Sequence, residues 1–158
     1  MTVRGRAEVF RGADAVAAGL VTRDRLRGPG YVRLLPDTYA RVRDREPDLG
    51  LRSRAASVWA GPGSVLCGYS AAELLGRSCA PPSAPAEVVV PGRAAPRTRA
   101  DAVVRRETLR PAEVTEVDGV RVTTPLRTAF DLARRVPGSE GVVAVDALAR
   151  APSTRTCC

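Results

Sequence analysis

Glycine and proline divide this chain at short intervals. Gly19, Gly28-Pro29-Gly30, Pro36-Asp37, Gly61-Pro62-Gly63, Gly76 and Asp118-Gly119 each interrupt a run of patterned apolar residues. Such residues end helices and set turns, so the chain is confined to short helices and short strands. No apolar run reaches the roughly 20 residues needed to cross a bilayer, and the N-terminal residues show no apolar signal core. The expected compartment is the cytoplasm.

Between these stops the periodicities alternate. Phe10, Ala13, Ala17 and Leu20 share a helical face, with Gly19 closing the helix. Thr22 is an N-cap for a second, short helix, with Asp24 in its first turn. Tyr31–Leu35 and Thr38–Val42 flank Pro36-Asp37 as a β-ribbon. Helix, turn, helix and ribbon in that order are the layout of a winged helix. A charged stretch, Arg43 to Asp48, reads as a linker.

The remainder reads as mixed. Leu51, Ala55, Val58 and Trp59 mark a helix, and Val65-Leu66-Cys67 a short buried strand. Ser70 to Glu73 has the pattern of a capping box opening a helix that Gly76 ends. Strands are expected at Glu87–Val90 and Ala102–Arg105, and in a hairpin turning at Asp118-Gly119. Thr124-Pro125 opens a helix whose apolar face is Leu126, Ala129, Phe130 and Ala133, with Arg127, Asp131 and Arg135 as an exposed ion-paired face. A last helix, capped by Ser139, carries Val142, Val145 and Leu148. The fold class is therefore α+β. Residues 1–48 form a winged helix, 49–150 a small mixed unit with a hairpin and several helices, and 151–158 an irregular tail.

Charge points the first unit at nucleic acid. The net charge is +8 and every basic residue is arginine, while Lys, His, Ile, Asn and Gln are absent. That gap has the look of codon bias, so arginine in place of lysine carries no functional weight. Its distribution does carry weight. Residues 1–55 hold 12 arginines against 7 acidic residues, and the other 103 hold 13 against 10. A basic excess at one end favours a phosphate-facing module there. The candidate DNA-binding residues are Thr22, Arg23, Arg25 and Arg27 on the second helix, and Arg33, Arg41 and Arg43 on the ribbon. Tyr31 and Tyr39 are assigned to packing against the helices.

Catalytic chemistry finds no support in the sequence. Ser70 lacks both a G-x-S-x-G setting and a histidine base, so capping explains it better. Gly61, Gly63 and Gly68 make no phosphate-cradling pattern. Cys67, Cys79, Cys157 and Cys158 form no C-x-x-C pair, and no histidine completes a zinc site. The expectation is a non-enzyme without cofactor or metal.

Three stretches together resemble a known group: ADAVAAGLVTRDRL at 13–26 leading to YVRLLPDTYARV at 31–42, VLCGYSAAELLG at 65–76, and GVRVTTPLRTAFDLARRV at 119–136 with VVAVDALAR at 142–150. The chain resembles the AbiEi-type antitoxins of type IV toxin–antitoxin systems, as found in many actinobacterial proteins. The resemblance implies an N-terminal winged helix that binds double-stranded DNA and represses its own operon. It also implies a middle unit that opposes a nucleotidyltransferase toxin. Some relatives continue into an endonuclease-like domain similar to very-short-patch-repair enzymes, and this chain stops where that domain would begin. Such a nuclease needs clustered carboxylates for metal and usually a lysine. A regulator or antitoxin without catalysis is thus the favoured expectation, and the front part of a longer endonuclease-like protein the alternative.

Overall fold

The computed structural model describes residues 9–41, 46–92 and 96–150. It begins with a strand, β1 (Val9–Arg11), where sequence periodicity had placed the start of a helix. Two short helices follow, α1 (Gly12–Ala17) and α2 (Arg23–Leu26), then an antiparallel ribbon of β2 (Tyr31–Leu35) and β3 (Thr38–Arg41). β1 joins the ribbon to give a three-stranded antiparallel sheet in the order β1-β3-β2.

The helical face expected at Phe10, Ala13, Ala17 and Leu20 is not the buried one. Phe10 lies on β1, Ala13 and Ala17 are exposed, and Leu20 is 79% exposed. Ala15, Val21 and Leu26 form the small core instead, and Phe10, Tyr31 and Tyr39 pack on it. The physical reason is the end of α1. Gly19 takes φ 71, and the Gly19 and Leu20 N–H groups return to Val16 and Ala15 carbonyls. This is a Schellman closure. It turns Leu20 out of the helix and hands its place to Val21.

α3 (Leu49–Ala60) is capped by Asp48, whose Oδ1 accepts the Leu51 N–H at 2.8 Å. Next come β4 (Val65–Leu66), α4 (Gly68–Leu74), β5 (Ala86–Val89) and β6 (Ala102–Arg105). The hairpin β7 (Val114–Val117) and β8 (Val120–Thr123), then α5 (Pro125–Arg135) and α6 (Gly138–Ala149), complete the described chain. The second sheet is mixed, in the order β6-β5-β4-β8-β7. Asp118 and Gly119 both take positive φ, 52 and 79, as the tight hairpin turn requires.

α3 packs against both sheets. Leu35 of the ribbon lies in one buried cluster with Ala55 and Ala56 of α3 and with Leu66, Val88 and Val122 of the second sheet.

Three further elements differ from the sequence expectation. Ser70 does not cap α4. The N-cap is Cys67, and the buried Ser70 hydroxyl accepts from Ser53 Oγ at 2.7 Å and from the Glu87 N–H at 2.8 Å. It therefore ties α4 to α3 and β5. Ser139 does not cap α6 either, because the N-cap is Pro137, and Val142 is 70% exposed while Ala144 and Leu148 are buried.

The largest correction concerns α5. Leu126 and Phe130 face outward, 83% and 57% exposed, while Thr128, Asp131 and Leu132 are buried. Polar contacts decide the rotation. The Thr123 and Thr128 hydroxyls meet at 2.7 Å, and Asp131 turns in to the arginines beside it. α6 then seats closely on α5, so closely that a Cβ on Gly141 would lie 2.5 Å from the Val136 carbonyl oxygen.

Candidate nucleic-acid interface

The candidate surface is built on α2 and the ribbon. Thr22 caps α2, its hydroxyl accepting the Arg25 N–H at 3.3 Å. Leu26 is the inward residue of this single turn. With one side anchored, Arg23, Arg25 and Arg27 all project to solvent. Arg27 reaches Asp24 Oδ1 at 3.2 Å, but that pair is 78% and 92% exposed, so water and salt screen it.

The ribbon adds to the same side. Tyr31 pairs with Arg41, and Arg33 with Tyr39. Paired residues share a strand face, and so do residues two apart. Arg33 and Arg41 therefore stand on the face of Tyr31 and Tyr39, which is the face that carries α1 and α2. Phe10 meets Tyr31 edge-on at 5.8 Å and stacks on Tyr39 at 6.3 Å. The two tyrosines are packing residues, as expected, and Arg33 and Arg41 beside them are exposed. Arg23, Arg25, Arg27, Arg33 and Arg41 are thus brought to one side of the first sheet. Arg43 lies outside the described residues.

Sequence reasoning missed how the ribbon is held. The α1 N-cap, Arg11, makes no side-chain capping bond. Asp37, in the turn between β2 and β3, does the capping from a distance. Its carbonyl accepts the Gly12 N–H at 2.9 Å and its Oδ1 the Ala13 N–H at 3.0 Å. The signal was present in the absence of a Ser, Thr, Asp or Asn ahead of Gly12, which leaves the first amides of α1 to find a partner elsewhere.

A second polar cluster lies on the other sheet, and it corrects the exposed reading of Arg127, Asp131 and Arg135. Asp131 is fully buried. Its Oδ1 receives Arg127 Nε at 3.2 Å, an Arg135 guanidinium nitrogen at 3.2 Å and one of Arg134 at 3.4 Å. Glu107 receives the same three arginines, and Glu113 binds Arg127 at 2.9 Å. The Arg110 backbone N–H and then Arg127 hold the Glu113 carboxyl below its ordinary pKa. Nearby, Glu87 binds Arg105 at 2.5 Å and accepts the Tyr69 N–H at 2.9 Å. A Cβ at Gly68 would overlap that carboxylate, so glycine is required there.

Within this cluster positive and negative groups are matched, which suits a structural network better than a ligand site. Cys67 sits at its edge, 3.9 Å from an Arg135 nitrogen. Burial pushes its thiol up to about 12, so it is no nucleophile at neutral pH. Among the described residues no group of three or more Cys, Asp or Glu could hold a metal ion, and no helix is long and apolar enough to cross a membrane.

The second sheet, its helices and this network define a mixed α/β unit organised by ion pairs, joined through the α3 core to the arginine-bearing first sheet. The family model of the AbiEi antitoxin C-terminal domain matches residues 64–156, and the chain belongs to the AbiEi antitoxin family. No curated protein matches the chain. The matched span contains Glu87, Arg105, Glu107, Arg127, Asp131 and Arg135, whereas every candidate DNA-binding residue lies before it.

Proposed function

We propose that this chain is a DNA-binding antitoxin of regulator type, acting in the cytoplasm and without catalysis of its own. In this reading residues 1–48 are a winged helix. α2 approaches a major groove with Arg23, Arg25 and Arg27, while Arg33 and Arg41, with Arg43, reach phosphates beside it. The observation that carries the proposal is the gathering of five exposed arginines on the helix-bearing side of the first sheet. The antitoxin match supports a toxin as partner for the second unit. The sequence resemblance makes that toxin a nucleotidyltransferase.

Arginine–phosphate contacts release counterions, so binding should weaken steeply as salt rises. The test is titration of the full chain on duplex DNA carrying its own upstream region, at several salt concentrations. Arg23→Ala and Arg27→Ala should each weaken binding by about 1–3 kcal/mol where the contact is to a base edge, and by less at a phosphate. Their melting should move by no more than about half a kcal/mol, as for exposed side chains generally. Variants that bind like the native chain, or that lose binding only by unfolding, would overturn the proposal.

A further inference from the structure

We infer that Asp37 is a positioning residue for the arginine face: it clips the ribbon turn to the start of α1 and so sets where Arg33 and Arg41 meet the duplex. The inference rests on the DNA-binding reading above and adds a residue that touches no DNA.

The clip is made of several contacts on one residue. The Asp37 carbonyl holds the Gly12 amide and its Oδ1 holds the Ala13 amide, at 2.9 and 3.0 Å. Its Oδ2 lies 3.8 Å from Arg11 Nε. These are the first two amides of α1, which has no local cap. Asp37 adopts φ 53 to make the contacts, a conformation most residues avoid. The helix start comes so near that a Cβ on Gly12 would lie 2.6 Å from Tyr39 and 2.9 Å from Asp37 Oδ1.

The consequence is geometric. A turn fastened to α1 cannot swing independently of the helices, so the ribbon must present its arginines through the strand face. Arg33 and Arg41 lie a few residues either side of the clip and inherit its placement. Electrostatics alone makes the opposite prediction, since removing a carboxylate near phosphates should tighten binding. The sign of the effect therefore separates the two roles.

Asp37→Gly tolerates the positive φ, keeps the carbonyl contact and removes the side-chain acceptor. Asp37→Asn also tolerates that φ and keeps an Oδ1 acceptor while losing the charge. In the full chain, Asp37→Gly should weaken duplex binding about threefold to tenfold through misplacement of Arg33 and Arg41. Amide exchange at Ala13 should quicken in the same variant. Asp37→Asn should bind at least as tightly as the native chain. In an Arg33→Ala/Arg41→Ala background, Asp37→Gly should change affinity less than about twofold, because the clip acts through those side chains. Equal losses in both backgrounds, or native or tighter binding by Asp37→Gly, would overturn the inference alone. A native chain that binds no duplex overturns the DNA reading and the inference with it.

Discussion

Single residues in this chain are placed by their polar demands as much as by their hydrophobicity. Asp131 is the extreme case. A buried carboxylate is tolerable only when its charge is matched, and three guanidinium groups converge on its Oδ1. Its Oδ2 is buried and finds no hydrogen-bond partner among the described residues, so the match is made on one oxygen. Cys67 is the neighbouring case with the opposite solution, a thiol kept neutral. Burial, then the Glu87 charge, raises its pKa from 9.0 to about 12. In the unfolded chain the thiol ionises near the lower value, and in the folded chain near the higher. Between them the native state holds the extra proton, so stability is fully present below about pH 9 and falls as pH rises toward 12. Urea unfolding from pH 7 to 11 should therefore show a smaller alkaline loss in Cys67→Ala than in the native chain. Equal losses would mean that this thiol ionises as easily folded as unfolded.

At the scale of elements, the turns and two of the four expected helix caps were legible in the sequence, and inward faces were less so. Thr22, Thr124-Pro125, Gly19, Gly76 and Asp118-Gly119 act locally, and the structure places each end where they predict. A helix face is decided by what it meets. α5 offers an apolar stripe at Leu126 and Phe130 and a largely polar face at Thr128, Asp131 and Leu132. Periodicity favoured the first, and the partners on β8, α4 and α6 selected the second. The exposure of Arg23, Arg25 and Arg27 was legible because a capped single turn needs no distant partner, whereas the Asp37 clip joins residues far apart in sequence. α5 gives a direct check. Phe130 lies outside, with the Arg134 and Arg127 guanidinium carbons 5.3 and 5.8 Å from its ring centre. Phe130→Ala should cost less than about 1 kcal/mol, the worth of exposed cation–π contacts. Leu132→Ala should cost about 2–5 kcal/mol, as for buried leucines. Paired denaturation curves decide it, and the reverse order would restore the face that periodicity suggested.

Across the whole molecule, charge and family divide the chain while the core unites it. The arginine face lies before residue 48 and the antitoxin-family match begins at residue 64. Between them stands α3, capped by Asp48. Ala55 and Ala56 are fully buried, in a cluster that runs from Leu35 on the ribbon to Leu66, Val88 and Val122 on the second sheet. A shared core couples the stability of the two sheets even where their tasks differ. Leu66→Ala, at a fully buried position in the second sheet, should cost about 2–5 kcal/mol. Each kcal/mol lowers the melting temperature by roughly 2–4 °C in a chain of this size. Because Leu35 draws on the same cluster, the first sheet should melt with the second. Trp59, which packs against that cluster, reports on the shared core by fluorescence, and the Phe10–Tyr31–Tyr39 group reports on the first sheet by near-ultraviolet circular dichroism. Both signals should fall in one transition, displaced together in Leu66→Ala. Below that transition the variant should bind DNA with native affinity, because Leu66 lies beneath the second sheet's helices and away from the arginine face. Two separated transitions, with only the Trp59 signal displaced, would show that the first sheet holds itself together without α3.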